Sequence, residues 1–349
     1  MKLKLVKRES GSKMLLIIMI SAVGSLLGTR LFLELTGYPE ISNEKWHVAH
    51  VLWGGLAMVV GMILTLVFHG EKTRKKASII FGVGLGWFID EIGKFLSHDN
   101  DYFFQPAIVF MYVFFILMFL LYRYFEKIQT KDVKSLLYQI INGLEEIAER
   151  DFENREKKEI LEKLGELERK TSGKINNLSI ALRKMIVELP SKKNKKIRSS
   201  NLLWKKLKFF GYHKIFKRKT ITSLLLLLSA GYILEGLFST VGIFLHFDPG
   251  EAVNIYKNTF MFSKTHGLML TMKIFSDTLI AGMFVAGLVL IWRKQKREGL
   301  GFFQRGLLVS IFLSSIFRFY FEQFSAVFGL IFNIIIWIGL DRMERDIKD

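Results

Sequence analysis

The sequence predicts an all-α, polytopic membrane protein with about eight transmembrane helices arranged as two four-helix blocks. Half of its residues are hydrophobic and 14% are aromatic, yet it carries 50 Lys and Arg against 32 Asp and Glu. The basic residues are concentrated between long apolar runs, which is the pattern of an integral membrane protein. Because the chain has no cysteine, thiolate metal sites, disulfides and cysteine nucleophiles are excluded.

The spans follow from the length of the apolar runs, since a helix needs about 20 mostly apolar residues to cross a bilayer. The first run follows a basic N-terminus without a signal-peptide cleavage site, so we expect it to be retained. The predicted spans are 14–36, 47–68, 77–97, 104–125, 221–245, 267–292, 302–322 and 324–341. The last two are so close that they form either one broken helix or a tightly turned pair.

The orientation follows from Lys and Arg in the short loops, which favour the cytoplasmic side. The N-terminus and the turns after the second and sixth spans are basic, whereas the loops at the opposite ends are neutral to acidic. We therefore expect both termini and residues 126–219 in the cytoplasm. The compactness of the chain favours a prokaryotic cytoplasmic membrane.

The domain prediction has three parts: a transmembrane block at 1–125, a cytoplasmic helical insert at 126–219 and a second block at 220–349. Apolar residues recur at helical spacing within the insert. Residues 192–219 then carry twelve Lys and Arg, no acidic residue and several aromatics. Such a stretch beside a span is typical of binding to anionic lipid headgroups, so no nucleic-acid partner is expected.

The two blocks resemble a tandem repeat. In each, a span ends in a basic turn and the next span ends in an aromatic, charged segment (FIDEIGKF in the first, FRFYFEQF in the second). An even number of spans per unit would make such a repeat parallel. Chance similarity among apolar spans is the alternative.

Two histidines and two carboxylates form the principal candidate site. His47 and His50 are three residues apart, so a helix beginning at 47 would place both on one face. Asp90 and Glu91 lie near the outer end of the next span, at a depth of roughly 6–9 Å, like His50. Acidic side chains inside a span are functional candidates by default.

A divalent-metal site is the sharper interpretation of this hairpin. Its ligands would be His47, His50 and Glu91, with Asp99 and Asp101 completing the coordination, and Zn, Mn, Mg and Ca all remain open. The alternative is a pair of interfacial histidines hydrogen-bonded to loop carbonyls.

Other charged residues also fall inside predicted spans, mostly in their outer halves, and are candidates for a transport pathway or substrate site. They are Arg30, Lys94, Glu235, Lys273, Asp277, Arg318 and Glu322. The structural alternative is mutual neutralisation at i, i+4 spacing, as for Asp90/Lys94, Lys273/Asp277 and Arg318/Glu322. Glu91 would then be the carboxylate left without its own cation.

Glycines in the second and third spans predict close helix packing, because small residues allow backbones to approach in membranes. They are Gly54, Gly55, Gly82, Gly84 and Gly86.

Three functions remain open. The first is a metal-assisted membrane hydrolase or transferase acting on a lipid or exported substrate, with Glu91 and Asp90 as catalytic residues. The second is a transporter or channel for an ion or small solute, lined by the intramembrane charges. The third is a sensor or assembly protein that binds a partner through its insert. Substrate and oligomeric state are not predicted.

Overall fold

A computed structural model describes residues 6–8, 10–37, 42–43, 46–47, 50–98, 104–128, 132–148, 154–190, 218–244 and 267–348. Most of them are helical. The first helices are α1 (Gly11–Thr36), α2 (His50–Val67), α3 (Glu71–Asp90), α4 (Ile92–Leu96) and α5 (Gln105–Lys127). Strands β1 (Ser42–Asn43) and β2 (Trp46–His47) form a short antiparallel pair before α2. Residues 192–217 lie outside the described part, and so does most of the predicted lipid-binding stretch.

Helices α6 (Val133–Ala148), α7 (Asn154–Lys170) and α8 (Lys174–Glu188) follow. The remaining elements are α9 (Arg218–Phe244), α10 (Gly267–Trp292), α11 (Lys296–Val309), a π-helical turn (Ser310–Ser314), α12 (Ser315–Glu322), a 3₁₀ turn (Gln323–Ser325) and α13 (Ala326–Lys348).

Five helical segments in the described part are long and apolar enough to cross a membrane, which indicates a membrane protein. They are Gly11–Thr36, His50–Val67, Gln105–Lys127, Leu268–Trp292 and Lys296–Asp341. Helix α3 is not among them because five of its first six residues are charged. The apolar stretch of α9, Ile221–Glu235, is shorter than a membrane span requires. The eight predicted spans are therefore matched only in part.

The helices group into two compact units. The first unit contains 1–102 and 114–198, and the second contains 103–113 and 199–349. Helices α6 to α8 belong to the first unit, and the predicted three-part division of the chain remains a prediction.

In the first unit, α3 packs between α1 and α2, and glycines set its distance from both. A Cβ on Gly84 would lie 2.5 Å from the backbone oxygen of Gly54, and one on Gly86 would lie 2.3 Å from that of Ala22. Gly82 meets α1 in the same way. The predicted close packing is thus confirmed for four of the five glycines. Around Gly55 there is open space instead.

Helices α6, α7 and α8 bury a small apolar core that includes Leu136, Ile140, Leu164 and Ile186. The spacing of these residues places them on one face of each amphipathic helix. These three helices lie within residues 126–219, where the sequence predicted helical structure.

In the second unit, α9, α10, α11 and α13 surround a core of Phe284, Phe303, Leu307 and Ile336 among others. The chain from α11 to α12 is one long helix that the π turn interrupts. Gln323 then adopts a positive φ of 52°, and α13 packs back against α11. The helices at the positions of the last two predicted spans are therefore joined by a tight turn.

A steric test of the first unit is Gly86→Ala. The new methyl would overlap the α1 backbone, so we expect a loss of stability of about 1–3 kcal/mol, seen as a lower Tm of the detergent-purified protein. Gly28→Ala is the matched control, because a Cβ there meets nothing within 4 Å. Equal Tm values for the two variants would contradict the close α1–α3 contact.

Candidate functional site

The first buried charge cluster centres on Asp90, the last residue of α3, which is 0% exposed. Arg30 of α1 donates from Nε to one carboxylate oxygen and from Nη2 to the Asp90 backbone oxygen at 3.0 Å. His50 Nε2 lies 3.0 Å from the other carboxylate oxygen. A buried carboxylate needs such partners, since an isolated charge in an apolar interior is very costly.

Glu91 occupies the break between α3 and α4 and is 1% exposed. Its carboxylate accepts hydrogen bonds at 3.0 Å from the Val51 backbone N–H and at 3.0 Å from Lys94 Nζ. The first contact places a negative charge at the N-terminus of α2, where the helix dipole favours it. Glu91 thus holds the start of α2 against the end of α3.

These contacts correct two predictions about pairing. Lys94 donates to Glu91, so Glu91 is not a carboxylate left without a cation. Arg318 donates to Glu235 on another helix at 3.2 Å, so Arg318 does not pair with Glu322 alone. Glu322 lies on the same helix as Arg318, and its side chain is exposed. The third predicted pair, Lys273/Asp277, is confirmed at 2.9 Å.

The prediction that His47 and His50 share a helix face is wrong. Helix α2 begins at His50, and His47 lies in β2, where its backbone pairs with Ser42. Asp99 and Asp101 lie outside the described residues. Within the described ranges, no group of three or more His, Asp or Glu side chains is arranged to hold a metal ion.

His50 is the polar group of this cluster that faces both carboxylates. Its Nδ1 lies 3.8 Å from Glu91, opposite the Asp90 contact, and its side chain is 29% exposed. Histidine is the side chain that most readily takes up or releases a proton near neutral pH. The cluster therefore places one imidazole between two buried carboxylates.

The second cluster lies in the second unit and joins three helices. Lys273 of α10 donates from Nζ to Glu235 of α9 at 2.6 Å and to Asp277 at 2.9 Å. Arg318 of α12 approaches the same two carboxylates, at 3.2 and 3.9 Å. Two cations are therefore shared between two carboxylates.

Neutral polar groups that were not predicted from the sequence adjoin this cluster in two sets. Ser314 donates to Asp277 at 2.6 Å, and the ring of Tyr232 lies 4.8 Å from the Arg318 guanidinium. The Tyr232 hydroxyl bonds to Ser310, and Asn333 donates to both hydroxyls, at 3.2 and 2.8 Å. The signal was present as hydroxyl and amide residues inside otherwise apolar runs.

Ser310 and Ser314 are the first and last residues of the π turn. A π turn carries an extra residue and often marks a functional position in a helix. The backbone oxygen of Ile311 within it accepts a hydrogen bond from Tyr112, whose ring stacks on Phe319 at 4.4 Å. The irregular turn is thus supported by side chains from neighbouring helices.

A further ion pair lies outside the candidate spans, between α3 and α6 of the first unit. Glu145 accepts from Arg74 Nη2 at 2.8 Å and from the Gly70 backbone N–H at 3.3 Å. His69 Nδ1 lies 3.5 Å away. The hydrogen bond from Arg74 lowers the pKa of Glu145 against the opposing effect of burial. This carboxylate ties the three-helix insert to the turn between α2 and α3.

Comparison of the chain with protein-family models, with curated proteins and with solved structures finds no match. Function is therefore argued from the clusters themselves.

The Glu145 contact predicts a specific pH dependence. Because the folded-state pKa lies below the ordinary value of 4.5, the contact adds stability at neutral pH. This contribution falls away below about pH 4.5 and is lost as the pH passes through the lowered pKa. We expect Glu145→Gln to lower the Tm at pH 7 and the difference from wild type to close on acidification. The control is Glu162→Gln, at a side chain that is 67% exposed, and an equal effect of both variants would contradict the assignment.

Proposed function

We propose that this protein is a membrane transporter for a small ion, with the proton as the first candidate. The observation that carries the proposal is the buried network of the second unit, where four charged side chains from three helices share contacts. They are Glu235, Lys273, Asp277 and Arg318. Ionisable residues inside membrane-spanning helices typically mark ion pathways and proton relays.

The unequal exposure of the two carboxylates suggests how such a network would operate. The side chain of Glu235 is 31% exposed and that of Asp277 is 1% exposed. A proton arriving from solvent would reach Glu235 first and remove its negative charge. Lys273 and Arg318 would then be drawn to Asp277, which both already approach, and the network would change its hydrogen bonds in response.

The neutral groups extend this route. Ser314 bonds to Asp277 at 2.6 Å. Asn333 bonds to Tyr232 and Ser310 at 3.2 and 2.8 Å, and the Tyr232 ring lies 4.8 Å from the Arg318 guanidinium. Each hydroxyl can both donate and accept, which a proton relay requires. In the first unit, His50 lies between Asp90 and Glu91 and forms a second polar cluster.

Flux through proteoliposomes tests the proposal. A valinomycin-clamped potassium gradient would drive protons, and an internal pH dye would report their entry. We expect wild type to exceed empty liposomes and Glu235→Gln to slow the flux by about tenfold or more, a barrier rise of about 1.4 kcal/mol.

Glu298→Gln is the matched control, because Glu298 is an exposed carboxylate on α11 of the same unit. Flux of sodium, potassium and chloride would be measured in parallel to identify another carried ion. The proposal fails if none of the four ions crosses faster than in empty liposomes. It also fails if a folded Glu235→Gln protein transports as well as wild type.

The finer membrane topology is part of the same proposal: eight spans, with both termini and the insert in the cytoplasm, and a parallel repeat. Supporting the repeat, each unit has a helical pair joined by a short turn with one positive-φ residue, Gly70 or Lys294. Twelve residues further on, each unit has a buried glycine, Gly82 or Gly306. The eight-span topology requires α3 to cross the membrane together with α2.

Labelling of single cysteines tests this topology directly, because the native chain has no cysteine. We expect a membrane-impermeant maleimide to label Phe95→Cys in intact cells, and Lys76→Cys and Lys158→Cys only after permeabilisation. All three positions are exposed in the structure. Labelling of Phe95→Cys and Lys76→Cys from the same side would show that α3 does not cross.

A metal-assisted hydrolase or transferase is the second candidate, because a histidine paired with an oriented carboxylate suits general acid–base catalysis. In the first unit, Arg30 orients Asp90, and Asp90 in turn contacts His50. Catalysis would fall to Asp90 and Glu91. A metal at Glu91 would have to replace Lys94, which now donates to it.

Elemental analysis of the purified protein tests this candidate. It requires stoichiometric Zn, Mn, Mg or Ca that is lost in both His50→Ala and Glu91→Gln. His69→Ala is the control, because that side chain is 96% exposed and lies elsewhere. If the wild-type protein contains no bound metal, this candidate is rejected and the transport proposal remains.

A further inference from the structure

A polar cavity of about 270 Å³ lies in the first unit where the insert meets the ends of α1 and α3. The insert contributes Gln139 and Asn142 from α6 and Lys163 from α7, and α1 contributes Lys13. The cavity lies in a different part of the first unit from the Asp90 cluster, near the charged start of α3.

Positive charge predominates in its lining. Six basic side chains line the cavity against four carboxylates, which leaves an excess of two positive charges. Three of the carboxylates are already matched to lining cations: Glu145 to Arg74, Glu71 to Lys75 and Glu159 to Arg155. The excess comes from several helices, so it is a property of the cavity and not of one surface segment.

One carboxylate of the lining, that of Glu145, is bound by the same kinds of groups that bind phosphate in proteins. The Glu145 carboxylate accepts from both terminal nitrogens of the Arg74 guanidinium and from the backbone N–H of Gly70, just before α3 begins. Forked contacts from arginine and backbone N–H groups at a helix start are the usual elements of phosphate sites. The lowered pKa of Glu145 is consistent with surroundings that favour negative charge.

One side chain of the lining, that of Arg74, has a donor without a partner. Arg74 is 7% exposed, and its Nε is buried without a hydrogen-bond partner. A buried donor left unsatisfied costs about 1–3 kcal/mol, so an additional acceptor at this position would be stabilising.

We propose that this cavity binds a phosphate-bearing anion, which would contact Lys13 and Lys163 in addition to the start of α3. The anion is either a soluble phosphate compound or the headgroup of an anionic phospholipid, which share this chemistry. The ligand connects α1, α3 and the insert. The site is independent of the proposed ion pathway.

Binding is tested with the detergent-purified full-length protein at constant ionic strength. Sodium pyrophosphate is titrated by calorimetry, and Tm is compared between nanodiscs of phosphatidylglycerol and of phosphatidylcholine. The cavity variant is Lys13→Gln/Lys163→Gln. The control is Lys134→Gln/Lys158→Gln, which removes the same charge from exposed positions of α6 and α7 outside the lining.

We expect the wild type and the control to bind pyrophosphate, and the cavity variant to bind it at least about tenfold more weakly, the effect of losing a charge-assisted contact. This result assigns a soluble phosphate ligand. Stabilisation by phosphatidylglycerol alone, lost only in the cavity variant, assigns the lipid headgroup. The proposal is overturned if neither probe acts, or if the cavity and control variants respond alike.

Discussion

A charged carboxylate without exposed surface needs a cation or hydrogen-bond donors between apolar helices, and the packing of α1 against α3 depends on how Arg30 reaches Asp90. Removing one partner of a buried ion pair typically costs about 3–5 kcal/mol, a large fraction of the stability of most domains. The pair therefore limits which positions α1 and α3 can take relative to each other. The same requirement applies to Asp277 in the second unit, which Lys273 meets.

Glycine packing and ion pairing support one another in the first unit. Along α3, Gly82 lies against Ile18 and Gly86 against Ala22, so each step of four residues on one helix matches four on the other. If this parallel register continues for one more turn of both helices, Asp90 of α3 lies beside the turn of α1 that leads to Arg30. The small residues thus set both the distance and the register that the ion pair needs.

Most of the helix positions follow from the sequence because apolar runs of span length are directly readable. The start of α2 was misplaced by three residues, since nothing in the apolar run distinguishes a helix from the short strand that holds His47. The break at Glu91 was also not foreseen. No proline lies near it in the sequence, and Glu91 at the break contacts Val51 and Lys94.

The pairing of the charged residues was only partly predictable from the sequence. Counting i, i+4 neighbours treats each helix alone, whereas Arg30 and Arg318 find their carboxylates on other helices. Ser310 and Asn333 were missed for a related reason. A single hydroxyl or amide in an apolar run is ordinary, and its role emerges only when several helices bring such groups together.

The two clusters differ in which helix carries the positive charge. In the first unit, α1 supplies the cation Arg30 to Asp90, whereas in the second unit α9 supplies the carboxylate Glu235 to Arg318. Exchange of one partner alone would leave two like charges buried together. Across descendants of this sequence, each of these positions is therefore expected to change only in company with its partner. Coordinated substitution at such pairs would record the helix contacts in the evolutionary history of the chain.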